Sequence, residues 1–442
     1  MQKQDKKVNI GLIGLGERGC VLAEILLSMP NVVLSAVSDI YPERMRFICG
    51  MAEEKGHNPP LGYADYKQLL KDETIQAVII ATPVLQHVSM AICAMNAGKY
   101  AAIEACGAVT VQECWQLVHA AEKNDVDCML LENCCYGRKE LALLNMVKEK
   151  IFGEPVYFEG AYQHDLREEI VKGYMKNKQT RICNYIERNA DIYPSHGLAP
   201  ITKYLSMNYG NRMISLTSSS TKAVGLKNWI SQNLETENYL SDVTFKLGDI
   251  VTTMIKWANG EGTLLIHDTT LPRPYSRGGV VQGTRGIWME STDQVTEDGQ
   301  PLEDPFCNLG SIHLENITPD LQYDDDEVHE VGLNTAWEPF EKYVKKYEHP
   351  LWVEIIDSGT VSAVNNSSCV NAGMDLLVVE AFVDSVARQS ACPIDVYDTA
   401  SILCVSALSE QSIQTGGMSV SVPDFTNGKW IERTPPKSKY ML

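Results

Sequence analysis

Three short clusters in this 442-residue sequence concentrate side chains that could do chemistry: Tyr162-Gln163-His164-Asp165-Leu166-Arg167, Tyr193-Pro194-Ser195-His196-Gly197 and Pro272-Arg273-Pro274-Tyr275. Histidine and tyrosine are suited to moving a proton to or from a hydroxyl or an acidified carbon. His196, bracketed by Pro194 and Gly197, stands before the apolar helical run Leu198 to Leu205. At a helix start the dipole lowers an imidazole pKa and keeps the ring neutral, as a general base requires. Tyr162 closes an alternating strand, where a ligand at a sheet edge could be met. A single histidine before a helix serves structure as readily as catalysis, so the residues alone leave both readings open. His57, His119, His267, His313, His329 and His349 have no such setting and read as surface or core histidines.

A different chemistry is written at the start of the chain. An apolar run (Val8, Ile10, Leu12, Ile13) is followed by Gly14-Leu15-Gly16-Glu17-Arg18-Gly19, a helical pattern, and Val32 to Ser38 ending in Asp39. In a strand-turn-helix-strand context, Gly14 permits the tight turn, Gly16 lets a pyrophosphate approach the backbone, and Gly19 lets the helix pack close to the strand. The helix N-terminus offers free N–H groups to the anion. Asp39 would accept hydrogen bonds from a ribose diol and repel an additional phosphate, which favours NAD over NADP.

The elements that must position these residues follow from periodicity. Apolar strands at Ala77 to Thr82, Tyr100 to Glu104 and Asp127 to Glu132 alternate with helical segments, which predicts an α/β doubly wound parallel sheet with its ligand at the carboxyl ends. Thr82, Pro83, His87, Glu104, Glu132 and Asn133 fall at or just beyond those ends. After Asn133 the texture changes to an alternating strand, Val156 to His164, and further strand-like runs at Arg212 to Ser219, Thr244 to Leu247, Val251 to Trp257 and Gly262 to Asp268. This predicts an α+β second part with an open antiparallel sheet, closed by helices Met374 to Gln389 and Tyr397 to Gln414. The expected division is 1–133 and 134–442, with an acidic, loop-rich insertion at about 291–328.

Composition narrows the partners. A formal charge of −19 argues against nucleic acid or an anionic membrane surface. No apolar run reaches the length of a membrane span, and Met1 to Lys7 leads into the first strand without a signal-peptide core, so the sequence as written reads as cytoplasmic. Thirteen cysteines without framework spacing read mostly as small apolar residues in a reducing compartment. Cys134-Cys135 are adjacent and match neither a redox pair nor a zinc clip, so no metal is expected.

Taken together, the strings resemble a known family. The first domain is similar to the Rossmann nucleotide-binding half of the glucose-fructose oxidoreductase and inositol dehydrogenase superfamily. Within it, the second domain resembles glycoside hydrolase family 109, the NAD-dependent glycosidases acting on N-acetylgalactosaminides. The strings that carry this are Glu132-Asn133-Cys134-Cys135-Tyr136-Gly137-Arg138, Tyr162 with His164-Asp165-Leu166-Arg167, Tyr193 to Pro200, Pro274-Tyr275-Ser276 and Asp395-Val396-Tyr397-Asp398.

The resemblance implies NAD contacts at Glu17, Arg18, Asp39, Val84, Leu85, Gln86, His87, Glu104, Ala105 and Asn133. It implies substrate contacts at Tyr162, Arg181, Tyr193, Pro194, Ser195, His196 and Tyr275, with His196 and Tyr162 as the acid-base pair. The implied partner is a small-molecule or glycan-terminal sugar, and a homo-oligomer is expected. Where the superfamily's dehydrogenases write Glu-Lys-Pro, this chain has Glu104-Ala105-Cys106, and alanine cannot take a proton. The implied route is oxidation at sugar C3, removal of the C2 proton by Tyr162, loss of the C1 substituent, water addition and re-reduction, with NAD retained. An ordinary sugar or inositol dehydrogenase using His196, and a non-catalytic NAD- or sugar-binding protein, are the alternatives. One departure bears on substrate choice: a glycine-rich string with histidine in the family is Val370-Asn371-Ala372-Gly373 here, before Met374-Asp375.

Overall fold

The computed structural model describes residues 7–177, 181–235, 240–291, 309–315, 336–358 and 367–442. Strands β1 (Val8–Ile13), β2 (Val32–Ser38), β3 (Leu61–Tyr63), β4 (Ala77–Ile80), β5 (Tyr100–Ile103) and β6 (Cys128–Leu130) form one parallel sheet in the order β3-β2-β1-β4-β5-β6. Strand order reverses at β1, so the crevice for a ligand opens beyond its carboxyl end. The central strands are continuous apolar runs because helices cover both faces: every residue of β4 is buried. The strand β3 lies outside the expected pattern. Its Leu61 is exposed, and it extends the sheet's edge by backbone pairing rather than by burying a face.

Gly14 sits at φ +91°, where an L side chain is strained, and a Cβ on Gly19 would lie 2.1 Å from the Gly14 carbonyl oxygen. Turn and helix are therefore in backbone contact, which sets the N-terminus of the helix Glu17–Ser28 directly over the end of β1.

The second sheet runs through β7 (Pro155–Gln163), β8 (Met213–Ser220), β9 (Ile250–Trp257), β10 (Gly262–Asp268), β11 (Val280–Gly283), β12 (Gly286–Met289), β13 (Ser311–Leu314), β14 (Glu338–Pro339) and β15 (Val420–Ser421). Among the described residues the order is β14-β13-β12-β11-β7-β10-β9-β8-β15. All neighbours are antiparallel except β7 and β10, which run parallel. That pair is joined through the intervening helices and the β8–β9 strands, the long crossover that parallel pairing requires.

Two expectations change here. The run Thr244 to Leu247 is not a strand: the Lys246 and Leu247 amides donate to the carbonyl of Tyr185 at 2.9 and 3.1 Å, so its backbone is committed to a helix end. Within the stretch 291–328, Ser311–Leu314 is a sheet strand whose Ile312 and Leu314 are buried, while Asp324-Asp325-Asp326 lie outside the described residues.

The helix Ser195–Tyr204 packs on β7 through a glycine pair. A Cβ on Gly197 would come within 2.5 Å of the Ala161 nitrogen, and one on Gly160 within 2.4 Å of the Gly197 carbonyl oxygen. At its other end Lys203, buried, donates to Asp398 and to the Pro393 carbonyl, both at 2.6 Å, tying it to the helix Val396–Gln414. Among the described residues no helix is long and apolar enough to cross a membrane. Because the backbone contact leaves no room for a methyl group, Gly197→Ala should destabilise the fold by about 1–3 kcal/mol. Chemical denaturation measures that loss, and a neutral outcome would contradict the close packing.

Candidate active site

The glycine contact brings the start of the helix Ser195–Tyr204 against the end of β7, and the aromatic clusters converge there. Tyr162 stacks on Tyr193 with ring centroids 4.4 Å apart and meets His196 edge-on at 5.4 Å. Tyr193 and His196 are 4.9 Å apart. His164 stands perpendicular to Tyr275 at 5.2 Å. The loop carrying Tyr275 is held to β7 by reciprocal backbone bonds between Gln163 and Ser276, at 3.1 and 2.9 Å. Arg181 donates to the Tyr162 hydroxyl oxygen at 3.4 Å and to Glu169 at 2.7 Å, so its charge is set beside the phenol. Tyr162, Arg181, Tyr193, His196 and Tyr275, scattered over more than a hundred positions of sequence, thus gather in one cluster, while Pro194 and Ser195 are buried at the helix start beside it.

The structure corrects the expected state of His196. Its Nδ1–H donates to Glu132 Oε1 at 2.6 Å. Burial alone would lower the imidazole pKa, but the Cys134 sulfur and the Glu132 carboxylate outweigh it and hold it well above the ordinary 6.5. A carboxylate in contact overrides a helix dipole because a full charge at hydrogen-bond distance exceeds the partial charge of a helix end. Glu132 is wholly buried; burial opposes its ionisation, yet His196 keeps its pKa below the usual carboxylate value. A buried carboxylate that holds one imidazole nitrogen fixes the orientation of the ring.

Glu132, Cys134 and His196 also place oxygen, sulfur and nitrogen atoms within 4.8 Å of one another. Cys134 therefore sits against the Glu132–His196 pair, a placement its adjacency to Cys135 did not reveal. His267, read as an unremarked histidine, lies in register with Tyr162 on β10, fully buried and 6.4 Å from its ring. Burial and the nearby Arg181 push its pKa down to about 3, so it stays neutral.

The cofactor-side residues line the carboxyl ends of the parallel sheet. Gly16 caps the helix Glu17–Ser28 without a side-chain hydrogen bond, and Glu17 and Arg18 form its first turn. Asp39, buried, accepts from the Leu15 amide at 2.8 Å, the Tyr41 amide at 2.9 Å and the Arg44 guanidinium at 3.4 Å, which closes the glycine turn. Val84, Leu85 and Gln86 form a single tight turn after Thr82-Pro83. His87 follows, its ring nitrogens facing the carbonyls of Cys106 and Thr82 at 3.0 and 2.7 Å. Glu104, Ala105 and Asn133 follow β5 and β6. Ala105 is buried, and Cys106 beyond it takes the left-handed conformation at φ +69°. The uncapped helix end, the glycine turn and the Asp39 carboxylate together fit a dinucleotide. Sequence reasoning left out Glu132 as the partner of His196, although it stood in the quoted string. It also left out Asp375, which binds Arg18 from the far end of the chain.

Comparison with known proteins agrees with this geometry. Residues 8–131 match the oxidoreductase family NAD-binding Rossmann fold, and residues 136–432 match the glycosyl hydrolase 109 C-terminal domain. The chain belongs to glycosyl hydrolase family 109. A family 109 protein of Stenotrophomonas maltophilia is 36% identical over 97% of this chain and 91% of its own length. An alpha-N-acetylgalactosaminidase of Tannerella forsythia is 34% identical over 98% and 89%. Among solved structures, a levoglucosan dehydrogenase in complex with NADH and levoglucosan superposes with a TM-score of 0.65, at 17% identity, over 95% of this chain and 100% of that one. As a family 109 member the chain is an NAD-dependent glycosidase, built on a fold shared with sugar dehydrogenases.

The raised pKa fixes the sign of a pH effect. The basic form of His196 appears only above its elevated pKa, so with His196 as base the acid limb of the rate should lie above pH 6.5. In Glu132→Gln that limb should move to lower pH while the maximal rate falls by roughly 10²-fold or more; a pH–rate profile of both proteins measures the two effects.

Proposed function

We propose that the chain hydrolyses N-acetylgalactosaminides or closely related glycosides by transient oxidation at C3. The observation that carries this reading is the pairing of Tyr162 and His196 beyond the sheet, with Ala105 in the position where a dehydrogenase of this fold carries its lysine. The Tannerella forsythia relative named alpha-N-acetylgalactosaminidase supports the sugar class.

Bound NAD would supply the reversible two-electron chemistry at C3. Around it, His196 Nε2 takes the C3 hydroxyl proton, while Glu132 holds Nδ1–H and balances the charge that develops on the ring. A carbonyl at C3 acidifies the C2 proton, and the Tyr162 oxygen, as phenolate, removes it. Arg181 donates to the Tyr162 oxygen at 3.4 Å and faces that negative charge. Tyr193, stacked on Tyr162, fixes the ring's orientation. The C2 electron pair expels the C1 substituent, water adds at C1 as C2 regains a proton, and return of two electrons to C3, with the proton held on His196, restores the hydroxyl. The paired carboxylates of ordinary glycosidases are not required, and the Glu132 carboxylate is committed to His196.

Aryl N-acetylgalactosaminides should release their aglycone with no accumulation of NADH, and in D2O the released sugar should carry deuterium at C2. Tyr162→Phe should abolish both the deuterium incorporation and the release. Stoichiometric NADH formation from free sugars would instead mark a dehydrogenase and overturn the proposal.

A further inference from the structure

Four side chains from separate elements meet across the carboxyl ends of the parallel sheet. Arg18, in the first turn of the helix Glu17–Ser28, donates from Nε to Glu104 at 2.7 Å. Its Nη1 and Nη2 donate to the two oxygens of Asp375 at 2.5 and 2.9 Å. Asn133 adds a bond to Asp375 at 2.9 Å. Asp375 belongs to the helix Ser367–Arg388, far from the sheet in sequence, and its side chain is 7% exposed.

Two-pronged guanidinium–carboxylate pairing is the strongest and most directional form of side-chain hydrogen bond. Here it starts at the helix end where the backbone N–H groups lack a side-chain cap, which is where a pyrophosphate binds. A free arginine in that first turn would be drawn onto the phosphates. Asp375 holds it extended from the glycine turn to the second domain's helix instead.

We propose that Asp375 is a positioning residue that locks Arg18 across the dinucleotide cleft, so that NAD escapes only when this pair opens. The lock rests on the retained-cofactor reading above and explains how a fold shared with dehydrogenases keeps its cofactor. Asp375→Asn removes the charge and preserves the shape; Arg18→Lys preserves the charge and removes the fork. Each variant and the parent, loaded with NAD, are passed through gel filtration, and NAD released by acid is measured against time in a chase of unlabelled cofactor.

Both variants should lose NAD at least tenfold faster than the parent while their circular dichroism spectra match it. Retention equal to the parent, or longer retention because the freed Arg18 seizes the pyrophosphate, overturns the lock. Loss from the parent at the variants' rate overturns the retained-cofactor reading as well, whereas slow loss from all three overturns only the lock.

Discussion

The contact between Glu132 and His196 is the interaction on which the rest of the site depends. A carboxylate taken wholly out of water is costly unless a charge or several donors replace its hydration. Glu132 follows the last strand of the parallel sheet, and the Cys134 amide and the His196 ring supply that replacement. Removing either partner leaves a buried charge uncompensated. The bond that docks the helix Ser195–Tyr204 onto the nucleotide-binding sheet is therefore the bond that orients the His196 ring.

The second constraint is steric. Gly160 and Gly197 allow the helix backbone to touch β7, and this brings the rings of Tyr162, Tyr193 and His196 within stacking distance. The aromatic cluster is a consequence of the close approach: a helix held off by side chains of ordinary size would carry His196 away from the strand end. Burial of the cluster also shapes its electrostatics. His267 is kept neutral behind Tyr162, while Arg181 stands in front as the charge that faces the phenol.

The superposition with a levoglucosan dehydrogenase at 17% identity shows one architecture serving different chemistry. In this chain the peptide after β5 carries Ala105 and a left-handed Cys106, while the Tyr162 and His196 rings meet between the end of β7 and the start of the helix Ser195–Tyr204. The glycine turn and the parallel sheet answer to the dinucleotide, and the aromatic cluster stands on the other sheet.

Much of this was legible in the amino-acid sequence. The glycine turn with Asp39, the alternation of apolar strands and helices, and the strand Gly262 to Asp268 are local signals, since strand periodicity and turn chemistry are decided by neighbouring residues. The irregular strings around Tyr162, His196 and Tyr275 carried the family. Short strands such as β3 and β13 left no such signal, because their pairing depends on a neighbour rather than on their own pattern. Thr244 to Leu247 had the pattern of a strand but found no strand to pair with. The protonation of His196 was decided only in three dimensions, by a glutamate 64 positions away, as was the grip of Asp375 on Arg18 across 357 positions. Sequence patterning determined the elements and the cofactor; tertiary structure alone determined which charges face one another, because electrostatic partnership depends on distance in space and not on separation along the chain.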